Sequence, residues 1–203
     1  MQLEQRDRFG LVELRAADDD DKEPKIGGYA AVFYRADDAG TEYRLWEDAV
    51  ERIMPGAFDR AIREDNVVAL FNHDSSSVLG RSNAGAGTLT LSVDDVGLRY
   101  EITPSDSTLY RELSSMIKRG DIAGSSFQFQ IEAENWVRNK DGSEIREIRG
   151  VKLYDVGPVT FPAYAATTTQ ARSRRDEYFE KDRAKIQAEH ERRRLYLDSI
   201  STL

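Results

Sequence analysis

Runs of apolar, β-branched and aromatic residues from Phe9 to Ala16 and from Ile26 to Tyr34 predict a pair of strands. They are separated by the acidic stretch Asp18-Asp19-Asp20-Asp21-Lys22 and by Gly27-Gly28. Tyr43 to Ile53 predicts a further strand, after which Met54-Pro55-Gly56-Ala57-Phe58 turns the chain into a short helix. Pro55 suits its first turn, and Phe58, Ala61 and Ile62 fall on one face. Val67 to His73 reads as a strand ending in an imidazole, followed by a turn at Leu79-Gly80-Arg81. Thr88–Val93 and Leu98–Ile102 alternate polar with apolar, and Asp95-Val96-Gly97 suits the connection of a hairpin.

The clearest helix follows Pro104. Ser105 or Asp106 is placed to cap it, Leu109, Leu113, Met116 and Ile117 recur at helical spacing, and Gly120 stops it. Ile122–Ile131, Trp136–Arg138 and Ile145–Tyr154 read as strands, with a turn at Lys140-Asp141-Gly142-Ser143. From Arg174 to Leu197 the chain is dense in charge and poor in apolar positions, which predicts a helical arm outside the main core.

The 203 residues suffice for one domain with a real core plus that arm. A net charge of −8 argues against a surface built to bind nucleic acid phosphates. The absence of cysteine removes disulfides, thiolate chemistry and cysteine-ligated zinc, so covalent chemistry falls to serine, threonine or a carboxylate. No run approaches the roughly 20 apolar residues of a membrane span. Met1-Gln2-Leu3-Glu4-Gln5-Arg6 lacks the apolar region of a signal peptide, so the expectation is a soluble cytosolic protein without membrane contact.

The sequence holds two histidines, and His73 is the one in the core pattern. Histidine is the side chain whose ordinary pKa, roughly 6.5, suits acid–base work near neutrality. A serine needs such a base to become a nucleophile. Gly120-Asp121-Ile122-Ala123-Gly124-Ser125-Ser126-Phe127-Gln128-Phe129 offers one on a strand beside small residues. Alternation puts Ser126, Gln128 and Gln130 on one face and Phe127, Phe129 and Ile131 on the core face. A third group must hold the imidazole. Asp155, in the apolar stretch Leu153-Tyr154-Asp155-Val156-Gly157-Pro158-Val159-Thr160, is the first choice because a carboxylate there needs a reason; Asp74 and Asp121 compete. Each signal also has a plain structural meaning: a strand-end histidine, a Gly-Ser-Ser strand start, and Asn72 and Asp74 as turn formers.

Four blocks taken together go further: Glu51-Arg52-Ile53-Met54-Pro55-Gly56-Ala57-Phe58, Leu70-Phe71-Asn72-His73-Asp74 with Leu79-Gly80-Arg81, Gly120 to Phe129, and Val156-Gly157-Pro158-Val159-Thr160-Phe161-Pro162-Ala163-Tyr164. In this order, over about residues 9–172, they resemble the prohead protease family of tailed phages. The resemblance implies an α+β fold related to herpesvirus assemblin, a β-barrel-like, mostly antiparallel sheet surrounded by helices, over residues 1–172. Residues 173–203 form the charged C-terminal helical arm, read as autocleaved, as binding scaffold or capsid, or as a solvated helix. It also implies a serine endopeptidase, without cofactor or metal, with His73 as base and Ser126 as nucleophile, Ser125 being the fallback. The third role falls on Asp155, where the family usually has Glu. Gln128 and Gly157 depart from the commoner glycine and serine.

The implied substrates are the scaffolding protein, the scaffold-like arm of the major capsid protein, and the protease itself. The implied place is the interior of the immature capsid in the host cytoplasm, and the herpesvirus relatives work as dimers. Two other readings stay open: a non-catalytic capsid-assembly or scaffold-binding factor on the same fold, and a metal-dependent nuclease, which the acidic balance and the lack of a tight carboxylate motif disfavour.

Overall fold

The computed structural model describes residues 4–15, 24–161 and 168–201, with side chains at 12–15, 24–161 and 174–193. The acidic stretch at 18–22 and the Pro162-Ala163-Tyr164 end of the fourth sequence block lie outside the described residues. Two compact units divide the chain at Ala166/Thr167.

The first unit contains β1 (Glu4–Arg15), β2 (Lys25–Val32), β3 (Glu42–Trp46), β4 (Ala49–Ile53), α1 (Ala61–Glu64), β5 (Asn66–Leu70), β6 (Val78–Asn83), β7 (Ala86–Gly87), β8 (Leu89–Val93), β9 (Gly97–Ile102), α2 (Thr108–Arg119), β10 (Gly124–Arg138) and β11 (Glu144–Val159). The strands form one sheet in the order β7-β6-β5-β11-β10-β1-β2-β9-β8, with β4 also on β11 and β3 on β4. Pairings are antiparallel except β11 with β4 and with β5.

The expected barrel is not closed: β7 and β8 end the strand order. Between β6 and the start of β8, where a closed barrel would have a ladder, the backbone N–H of Arg81 donates instead to the Thr88 side chain, at Oγ1. Nor do helices surround the sheet: among the described residues the first unit has one 3-10 turn at Ala39–Thr41, one turn of helix in α1 and the twelve-residue α2.

Local chemistry explains the other differences from the sequence pattern. Tyr43–Ile53 is a hairpin, broken at Glu47-Asp48, where the Arg44 guanidinium holds the Glu47 carbonyl. Leu79-Gly80-Arg81 lies inside β6. The turn before it is made at 74–77, where the Asp74 carboxylate accepts from the Ser76 backbone and hydroxyl. Ser107 caps α2 by accepting from the Tyr110 N–H, and Gly120 ends it at φ 80°. The two stretches Ile122–Ile131 and Trp136–Arg138 merge into one strand, β10, which starts at Gly124.

The core lies behind β10 and β11. Phe127 stacks on Phe129 with centroids 4.8 Å apart and meets the edge of Phe58 at 5.7 Å, and Phe58 reaches Phe33 at 6.0 Å. Tyr110, Leu113 and Ile117 bury one face of α2 in the same core.

β10 lines one edge of β11 from Gly124↔Val159 to Arg138↔Glu144. The other edge pairs with β4 at Glu144–Ile148 and with β5 at Asp155–Val156. Between these two pairings, loop and side-chain groups serve the β11 backbone. The Val151 N–H donates to the Ala57 carbonyl, Arg60 Nη2 donates to the Val151 carbonyl, and the Leu153 N–H donates to Asp65 Oδ2 at 2.8 Å. Opposite, the ladder steps from Gln128↔Asp155 to Phe129↔Leu153, leaving Tyr154 as the extra residue of a β-bulge.

The second unit is α3 (Thr168–Ser201). Its side chains from Glu180 to Arg193 are exposed. Lys181 pairs with Glu177 one turn earlier and holds that carboxyl below its ordinary range.

Candidate active site

β10, β11 and the end of β5 bring three side chains together. Ser126 sits on β10 opposite Gly157 of β11, and Asp155 sits opposite Gln128, so Ser126 and Asp155 are diagonal neighbours on one face of an antiparallel pair. On the other side of β11, Val68 of β5 pairs with Asp155. Two residues past β5, Asn72 and His73 both take left-handed backbone angles, φ 54° and 57°, and the chain folds back over that face.

Asn72 ties the turn down. Its N–H donates to the Pro158 carbonyl at 3.0 Å, its side-chain amide donates to Thr160 Oγ1, and its Oδ1 accepts from the Thr160 N–H at 2.8 Å. Asparagine tolerates the left-handed angle better than most residues. The role as a turn former, one of the plain meanings of Asn72 in the sequence, is thus filled, with an added anchorage to the end of β11.

The imidazole lies between the other two groups. Ser126 Oγ–H donates to His73 Nε2 at 2.6 Å, and His73 Nδ1–H donates to Asp155 Oδ1. In this arrangement the ring takes the Nδ1–H form, leaving Nε2 with the lone pair that a serine proton needs. All three groups are withdrawn from water: the side chain of His73 is 9 % exposed and that of Asp155 6 %, and Ser126 has no exposed surface. In such surroundings a hydrogen bond is stronger than in water, and an unpaired polar group is costly.

The competitors are engaged elsewhere. Ser125 is buried on the opposite face of β10, within 2.8 Å of the Tyr100 hydroxyl, whose pKa burial pushes well up. The Asp74 carboxyl accepts from Ser76 and Ser77, which hold it below its ordinary range. Asp121 is held by the Arg119 guanidinium.

Alternation along β10 follows the sequence pattern: Phe127, Phe129 and Ile131 are buried in the core, while Gln128 and Gln130 are half-buried. The glycine at 157 has a steric reason. A Cβ built there falls 2.0 Å from the Leu70 carbonyl oxygen, so serine does not fit while β5 keeps this distance from β11. Arg60 and Asp65 carried no sequence signal, because the β11 backbone groups they hold lie 91 and 88 residues away, and Arg60 also pairs with Asp65 and with Glu132 of β10.

A group in which one ring nitrogen accepts from a serine and the other donates to a carboxylate can move a proton off the hydroxyl as the oxygen attacks an electrophile. Comparisons with known proteins give the family of the chain. No curated protein matches the chain. Among solved structures, that of the bacteriophage T4 capsid assembly protease is similar, with 15% sequence identity over 78% of this chain and 96% of that one, at a TM-score of 0.44. The model of the caudovirus prohead serine protease family matches residues 11–182. The chain therefore belongs to the caudovirus prohead serine protease family and is a phage capsid-maturation protease.

Proposed function

We propose that the chain is a serine endopeptidase in which Ser126 is the nucleophile, His73 the general base and acid, and Asp155 the group that orients the imidazole. The observation that carries this reading is the unbroken contact from Ser126 Oγ through both nitrogens of His73 to Asp155.

Ser126 Oγ adds to a peptide carbonyl carbon while its proton passes to His73 Nε2. Asp155 stabilises the imidazolium so formed. Collapse of the tetrahedral intermediate breaks the C–N bond, and the same proton leaves with the amine. Water then adds to the acyl-enzyme through the same base and releases the new carboxylate and the serine. Because Ser126 is fully buried, a peptide reaches Oγ only after the site opens.

The substrates are the scaffolding protein or the scaffold-like arm of the major capsid protein, and the protease itself, cleaved inside the prohead. Helix α3, with its exposed charges, is the segment that contacts scaffold or capsid. The test is co-expression of wild type and Ser126→Ala with the cognate capsid and scaffold proteins, followed by intact-mass analysis of every chain. Site-specific truncation with wild type alone supports the reading. Equal truncation with Ser126→Ala, or none with either in assembled shells, overturns it in favour of a binding factor.

A further inference from the structure

We propose that Asp65 and Arg60 are positioning residues for the site, which fix the β-bulge that turns Asp155 toward His73. The inference rests on the serine-protease reading and concerns how its carboxylate is aimed.

Strand β11 changes phase in its middle. Val151 and Leu153 point into the core, as strict alternation requires, and the same rule would send Asp155 there as well. Instead Val156 is the next core residue, and Asp155 stands on the outer face with Ser126 and Gln128. The switch occurs at Tyr154, the bulged residue between Leu153 and Asp155. A slip of one residue would exchange the two faces and drive a carboxylate into the aromatic core.

The bulge is held from the side away from β10. Asp65 is 6 % exposed and stands immediately before β5. Its Oδ2 accepts from the Leu153 N–H on one side of the bulge, and two residues later β11 meets β5 at Asp155↔Val68 on the other side. Arg60 locks the carboxylate in place: Nη1 donates to Asp65 Oδ1 at 2.8 Å, Nη2 to Oδ2 at 3.1 Å, and Nη2 also to the Val151 carbonyl. A two-pronged arginine–carboxylate pair fixes direction as well as charge. The clip thus binds β11 before the bulge, at Val151 and Leu153, and continues through five residues of β5 to the turn that carries His73. One rigid connection sets both ends of the His73–Asp155 contact.

The test compares wild type with Asp65→Asn, Arg60→Met and Arg60→Lys, using Glu42→Gln as a control that weakens a different ion pair, with Arg52. Three quantities are read for each: thermal stability, kcat and KM separately, and the far-downfield proton resonance of His73 Nδ1–H, the last in a Ser126→Ala background. Asp65→Asn and Arg60→Met are expected to lower kcat by about tenfold to a hundredfold at nearly constant KM and to shift or broaden the resonance. Arg60→Lys should fall between them and wild type, and it carries the test if Asp65→Asn does not fold. The proposal is overturned if both variants lose stability yet keep kcat and the resonance, or if Glu42→Gln changes these as much. Because the resonance needs no turnover, failure of the clip stays distinguishable from failure of the serine mechanism, which Ser126→Ala reports by itself.

Discussion

Replacing Asp155 by Asn changes little in shape and reverses one proton. The carboxylate can only accept from His73 Nδ1, whereas an amide can donate to it. With the amide nitrogen turned toward Nδ1, the ring carries its proton on Nε2, the atom 2.6 Å from Ser126 Oγ. Nε2 then has no lone pair for the serine proton, and the imidazolium formed on attack loses its counter-charge. The equivalent change in a well-studied serine triad costs about four decades in kcat, or about 5.5 kcal/mol at 1.36 kcal/mol per decade. Asp155 is buried and in direct contact with the ring, so water cannot replace it and a loss of similar size, ~10⁴-fold, is expected. The assay is single-turnover cleavage of a capsid-arm or scaffold peptide at substrate saturation, with the fold checked by circular dichroism. A folded Asp155→Asn enzyme within tenfold of wild type would refute the orienting role and return the third position to Asp74 or another group.

Phe127→Ala should cost about 3–5 kcal/mol in urea unfolding, because Phe127 is fully buried between Phe58 and Phe129; a cost below 1 kcal/mol would mean that this core does not anchor β10. Gly157→Ala should cost about 1–3 kcal/mol and lower activity, since its Cβ would push β5 and the His73 turn off β11; an unchanged melting temperature would count against the close approach of Leu70 to Gly157. The Asp74 carboxyl, held down by Ser76 first, stabilises the His73 turn above the ordinary carboxylate pKa, and this is lost as pH falls through the lowered value. Carboxyl NMR titration should show Ser76→Ala moving Asp74 back up, and an unmoved titration would contradict the Asx turn.

What the sequence made legible were features decided by near neighbours. Asp95-Val96-Gly97 turns the β8–β9 hairpin, the apolar spacing of α2 and its glycine stop define that helix, and the Ser126/Gln128 against Phe127/Phe129 alternation holds in β10. His73, Ser126 and Asp155, which the structure brings into contact, were singled out in the sequence by a strand-end imidazole, a serine on a strand after a glycine turn and a carboxylate in an apolar stretch. What was hidden depends on distant partners. The break in Tyr43–Ile53 contains neither glycine nor proline, and Leu79-Gly80-Arg81 reads as a turn until β5 is seen to pair with it. The bulge at Tyr154 arises from two neighbouring strands with different registers, which no local pattern encodes.

The position of β11 in the sheet also bears on when the site can exist. His73 lies just past β5 and Ser126 lies on β10, and these strands are not neighbours; β11, the last of the described strands, lies between them. A nascent chain that has emerged only through β10 therefore holds the base and the nucleophile apart, with the carboxylate still unmade. The three side chains can meet only once β11 lies between β5 and β10, and contacts separated this widely in sequence form slowly. The contact among the three side chains is therefore withheld until synthesis of the sheet is nearly complete.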